Sequence, residues 1–194
     1  MKLEITHQDR YSRGELLLRT FFGVIYIAVP HYFLLFFIFI WSAVLSFITF
    51  WAILFTARFP EGIFEFQLKL MNWQLRVDAV LANLIDGYPA FGIKGTSDKV
   101  SLQVERPERV SRGLLLLRAF LGWAYVGIPH GVCLYGLQMA TGVMEFLAWW
   151  VVLFKAEYPE SWHEFNVGVR RWGVRVTLYL GYFTDEYPPF SLKA

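Results

Sequence analysis

The sequence holds a single cysteine, Cys133, set inside an apolar run, so no internal disulfide can form and nothing marks an oxidising compartment. No basic run occurs, and a net charge of +2 is too small to argue for nucleic acid as a partner. Charge is missing altogether between Thr20 and Ala57, apart from whatever His31 carries. No P-loop, dinucleotide fingerprint, Cys-x-x-Cys pair or Ser/His/Asp spacing stands out. The common phosphate, nucleotide and acyl-transfer chemistries are left without residues.

Apolar side chains are abundant instead. Of the 194 residues 56% are hydrophobic and 19% aromatic, with a mean hydropathy of +0.42, outside the usual soluble range. The stretch from Thr20 to Ala57 has a second version from Ala119 to Ala156 that keeps a Pro-His pair at the same place. About twenty apolar residues cross a bilayer, and each stretch is nearly twice that long. The expectation is a membrane helix hairpin broken at Pro30-His31 and at Pro129-His130, because the residue before proline avoids the helical region. The Trp and Tyr residues gather near the ends of these stretches, as interfacial anchors do. The basic-then-apolar N-terminus resembles a secretory signal, but the same pattern recurs deep in the chain at Arg106 to Ile128, so it reads as part of the mature protein.

Slid against itself by 99 positions, the sequence aligns without a gap, and roughly a third of the aligned positions are identical. Ser12-Arg13-Gly14 meets Ser111-Arg112-Gly113, Arg19 meets Arg118, and Pro30-His31 meets Pro129-His130. Trp73 and Arg76 meet Trp172 and Arg175, while Asp86, Tyr88, Pro89 and Phe91 meet Asp185, Tyr187, Pro188 and Phe190. Chance similarity between apolar helices would align Leu with Val, not Arg, Asp, Pro and His. The units expected are residues 1–92 and 100–194, with 93–99 as linker.

Within each unit a short period-two run, Leu3 and Ile5 or Leu102 and Val104, predicts a strand, and the two strands are suited to pair or to accept a partner strand. Ser12 and Ser111 are suitable helix N-caps, and the long helices end near Arg58-Phe59-Pro60 and Glu157-Tyr158-Pro159. From Ile63 to Ile85 the polar residues Glu65, Lys69, Asn72, Arg76 and Asn83 share one helix face. That pattern predicts an amphipathic helix lying in the membrane interface. The fold class expected is an all-α membrane protein of two tandem helical-hairpin repeats, each preceded by a short β-strand and followed by an amphipathic interfacial helix.

The motif order Ser-Arg-Gly, Ile/Val-Pro-His, Trp-x-x-Leu-Phe, Tyr/Phe-Pro-Glu, Trp-x-x-Arg and Asp-x-Tyr-Pro-Pro-Phe resembles the bacterial membrane family catalogued as domain of unknown function 4389. The second unit fits best, with Ile128-Pro129-His130, Tyr158-Pro159 and Asp185-Glu186-Tyr187-Pro188-Pro189-Phe190. The first departs in having Phe59 for Tyr158, Gly87 for Glu186 and Ala90 for Pro189. The resemblance implies a bacterial membrane protein present here as two tandem copies, and it brings no activity and no catalytic residues.

The candidate site residues are few. His31 and His130, brought together by a pseudo-two-fold, would be a cofactor-binding pair, for instance axial ligands of a haem. The plainer reading is a turn histidine bonded to a carbonyl, water or a head group. His163, between Glu160 and Glu164, has Phe64 as its counterpart and reads as a solvated helix start. Arg19, Arg76, Arg118 and Arg175 are candidate contacts for anionic lipid head groups, or in the case of Arg76 and Arg175 the partners of Asp86 and Asp185 in ion pairs. No catalytic residue, metal ligand or obligatory cofactor is identified.

The function expected is that of a non-enzymatic, multi-pass protein of the bacterial inner membrane, its polar segments mostly cytoplasmic by the positive-inside rule. It would bind or organise lipid or serve as an accessory or scaffold subunit. The partners expected are membrane lipids, with other membrane-protein subunits or a second copy of the chain beside them. The alternative is a redox or transport component built on the two histidines.

Overall fold

The computed structural model describes residues 1–193, which form four helices and one two-stranded sheet. The order is β1 (Lys2–Ile5), α1 (Arg13–Thr56), α2 (Glu61–Leu81), β2 (Val100–Gln103), α3 (Arg112–Lys155) and α4 (Glu160–Leu180). The chain is mostly helical. Helices α1 and α3 are each 44 residues long and apolar enough to cross a membrane.

The expected break at the Pro-His pairs does not exist. Each long helix runs straight through, with one wide π-helical turn, Val24–Ala28 or Trp123–Gly127, just before the proline. In an α-helix Pro30 would leave the Tyr26 carbonyl four residues earlier without its donor. The wide turn moves the neighbouring bond to a five-residue step, Val29 N–H to Val24 O. The freed Tyr26 carbonyl then takes a hydrogen bond from the Tyr88 hydroxyl at 3.1 Å. In α3 the Tyr125 carbonyl receives Tyr187 in the same way at 3.2 Å. The proline rule was outweighed by a tyrosine some sixty residues downstream.

Both helix starts are as the sequence predicts: Ser12 and Ser111 accept from the backbone N–H of Glu15 and Leu114 at 3.3 Å. At the far ends Ala57 and Ala156 adopt left-handed backbone, φ 56° and 60°, and close the last turn.

Strands β1 and β2 pair antiparallel with Leu3 opposite Leu102 and Ile5 opposite Val100, all four buried. The Asn72 amide closes the outer edge of β2, donating to Leu102 O at 2.9 Å and accepting from Leu102 N–H at 2.8 Å. A partner strand would have to displace that side chain, so this edge is not free in the way the alternation alone implies.

Helix α2 is not the interfacial helix expected. Phe64, Leu70, Trp73, Val77 and Val80 are all buried in the core, and along its whole length only Glu61, Gly62, Glu65 and Lys69 are exposed. Each such apolar side chain gains about 1.5–3 kcal/mol from burial, and packing against α1 and the sheet supplies that burial without a bilayer.

The halves interlock rather than sit apart. Tyr11 N–H donates to Ala156 O and Val110 N–H to Ala57 O, both at 2.9 Å. Arg13 bonds Phe154 O and Arg112 bonds Phe55 O, both at 2.7 Å. The two long helices therefore meet head to tail at both ends.

Candidate functional site

Each histidine sits in its own aromatic box. His31 is fully buried: the Trp73 indole N–H donates to its Nδ1 at 2.9 Å, and its ring lies 4.0 Å from that of Phe91, centroid to centroid. His130 repeats this with Trp172, at 2.9 Å, and Phe190, at 4.0 Å. Because Nδ1 accepts, the neutral ring carries its proton on Nε2. In the second half that proton points at the Tyr187 oxygen, 3.1 Å away, and Tyr187 passes its own to the Tyr125 carbonyl. Among the described residues the His31 Nε2 is buried without a partner.

This arrangement does not fit a haem or metal held by the two histidines. Ligation through Nε2 would need the proton on Nδ1, which would then face the tryptophan N–H, donor against donor. None of the ring contacts of either histidine reaches the other half; each box is completed by the tryptophan and closing turn of its own half. The pair that the sequence invites is not brought together.

Arg19 and Arg118 are fixed inside the protein. The Arg19 guanidinium bonds Asp86 at 2.8 Å, the Asn83 side chain at 2.8 Å and Glu15 at 3.2 Å. Arg118 bonds Asp185 at 2.6 Å and the carbonyls of Thr184, Tyr179 and Leu114, with its charge 4.8 Å from the centre of the Tyr179 ring. Both arginine side chains are nearly inaccessible, so neither presents itself to a head group. The partner of Asp86 is thus Arg19, not Arg76. The same carboxylates also accept the N–H of Ser12 and Ser111, at 2.6 and 2.7 Å, so the start of each long helix and the closing turn of the same half meet at one point.

Arg76 and Arg175 instead hold the tails of the closing segments. Arg76 donates to Gly92 O at 2.9 Å, and Arg175 to the carbonyls of Ser191 and Lys193. Burial depresses both guanidinium pKa values. Of the four arginines singled out, these two reach a cleft: Arg76 one of about 230 Å³ beside Lys99, Arg175 one of about 750 Å³ beside the sheet.

His163 is not solvated. It is buried beside His7, with ring centroids 5.1 Å apart, and its Nε2 meets Leu84 O at 3.2 Å; burial pushes its pKa down to about 4. Tyr88, Tyr187, Phe91 and Phe190 emerge as box-building residues. Their signal was present as the matched Asp-x-Tyr-Pro-x-Phe segments, but nothing local says which helix turn they cap.

Residues 117–191 match the family model described as Domain of unknown function (DUF4389). Neither the curated proteins nor the solved structures returned a match. The DUF4389 stretch runs from just before Arg118 to just past Phe190, and so takes in Arg118, Tyr125, His130, Trp172, Asp185 and Tyr187. The match stops at the second half; the first-half box is known from its geometry.

Proposed function

We propose that the chain is a non-enzymatic integral protein of the bacterial inner membrane, made of two tandem copies of the DUF4389 domain, that organises lipid or scaffolds a membrane assembly. One observation carries this reading. In the most apolar window of α1 only 11% of the residues are buried, and in that of α3 only 17%. A core helix of a soluble protein would be mostly buried. Here Phe21, Phe33, Phe47 and Phe55 on α1, and Phe120, Tyr135, Phe146 and Phe154 on α3, are each more than 60% exposed. An apolar surface running the length of two 44-residue helices far exceeds the few hundred Å² that soluble monomers leave in water. Lipid is the solvent that suits it.

Two polar groups on these helices are matched within the chain. Glu145, the acid in mid-α3, pairs with Arg170 at 2.9 Å, and the Tyr32 hydroxyl donates to Asp78 at 2.7 Å. The boxes are structural staples that let a proline-containing helix remain continuous, which is why no reaction is assigned to them. The test is extraction. The protein should stay with membranes through alkaline carbonate washing and should carry lipid after mild detergent purification. Recovery in the washed supernatant would end the proposal.

A further inference from the structure

Resting on that membrane reading, we infer that both long helices lie within a single leaflet, starting and finishing on the same water-facing side, instead of crossing the bilayer. Tyr11 N–H bonded to Ala156 O puts the start of α1 beside the end of α3, and Val110 N–H bonded to Ala57 O puts the start of α3 beside the end of α1. If the helices crossed, these two ends would lie on opposite sides of the membrane.

A continuous charged surface joins the ends. From the first closing turn, Lys99 bonds Asp86 O and the Gln8 side chain, and Lys99 O receives Thr6 N–H. The path continues through the sheet, where Lys2 pairs with Glu4 at 2.7 Å, and across the 750 Å³ cleft that places Lys2 and Glu105 beside Glu186 of the second closing turn. Lys2, Glu4, Asp98, Glu105, Glu108 and Arg109 on this surface are all exposed. A crossing orientation would draw that whole strip through hydrocarbon, where ionised groups are strongly disfavoured. With the strip in water, the apolar flanks of α1 and α3 face the acyl chains and the exposed charges of the strip stay wet. The ligand of this surface is one leaflet, held by two long helices in its plane.

The experiment uses the full chain in bacterial membranes, with Cys133→Ala as background and single cysteines introduced as Asp9→Cys and Glu157→Cys at one end, and Arg58→Cys and Glu108→Cys at the other. All four native positions are exposed. A membrane-impermeant maleimide is applied to intact spheroplasts and to disrupted ones. The expected result is that all four sites label alike in each sample: protected when intact and labelled when disrupted if the strip is cytoplasmic. Labelling of one end in intact spheroplasts while the other needs disruption would overturn the inference, and the protein would be a crossing one. Loss of the protein to the soluble fraction would instead overturn the membrane reading beneath it, so the two failures are distinguishable.

Discussion

The two arginine centres show how one charge pair can be held by different surroundings. Arg19 and Arg118 face Asp86 and Asp185 in the same way. Around that pair almost everything differs. Where the first half has Glu15 and Asn83, the second has Leu114 and Tyr182. Arg19 therefore has a second carboxylate and an amide oxygen, whereas Arg118 recruits three backbone carbonyls and two aromatic faces. A buried guanidinium must have its donors satisfied, but carbonyl dipoles and ring faces do that as well as carboxylates. The ion pair joins the start of each long helix to its closing turn. The rest of the shell is interchangeable.

That difference is best broken by removing the aspartates. Asp185→Ala leaves Arg118 buried with no carboxylate, and the expected loss is about 3–4 kcal/mol, within the range for stranding a buried charge. Asp86→Ala leaves Arg19 with Glu15, and the expected loss is about half as large. Thermal unfolding in a single detergent would rank them. Equal losses, or a larger one for Asp86→Ala, would show that Glu15 does not compensate.

A second asymmetry is proton-linked. His163 is buried with its pKa near 4, while its counterpart Phe64 does not titrate. An unfolded histidine has a pKa of about 6.5. As pH falls from about 6.5 towards 4 the unfolded chain takes up the proton first, so native stability should drop across that window by about 3 kcal/mol. The contribution is constant above the window and fully lost below it. Replacing the residue as His163→Phe should flatten that part of the stability–pH curve; a curve of unchanged slope would assign the effect to another group.

The histidine boxes differ by one bond. Tyr187 serves both the Tyr125 carbonyl and the His130 Nε2, whereas Tyr88 serves the Tyr26 carbonyl and leaves His31 Nε2 alone. Tyr187→Phe should cost about 2 kcal/mol and Tyr88→Phe about 1 kcal/mol, following the number of hydrogen bonds each hydroxyl makes. Hydrogen exchange at the π-helical turns is the local readout. Faster exchange should appear around Trp123–Gly127 before it appears around Val24–Ala28.

Much of this construction is readable from residue order, and the failures have physical causes. Ser12 and Ser111 cap their helices, the alternating runs form paired strands, and the long apolar stretches are helical, because each of these rests on local geometry. The continuity of the helices through Pro30 and Pro129 was hidden because the group that repairs each one is a hydroxyl on a distant turn. The burial of α2 was hidden because its apolar stripe fits a membrane surface and a protein core equally well, and only the packing of β2 and α1 on it decides. The pairing of Asp86 with Arg19 is not legible for a simpler reason: Arg76 is closer in sequence, and sequence distance is not spatial distance.

The smallest effect expected tests the interchangeability itself. Asn83 and Tyr182 both hold left-handed backbone, at φ 55° and 69°. Asparagine tolerates that region, whereas a bulky aromatic is strained there by about 1 kcal/mol. Tyr182→Asn should relieve that strain and offer Arg118 the amide oxygen that Arg19 already uses, while giving up one ring face 5.4 Å from the charge. The two changes nearly cancel, and the expected shift is within about 0.5 kcal/mol of zero. A loss of several kcal/mol would mean that the aromatic shell of the second half is not a substitute for the polar shell of the first but a packing element in its own right, tied to the burial of Phe183 next to it.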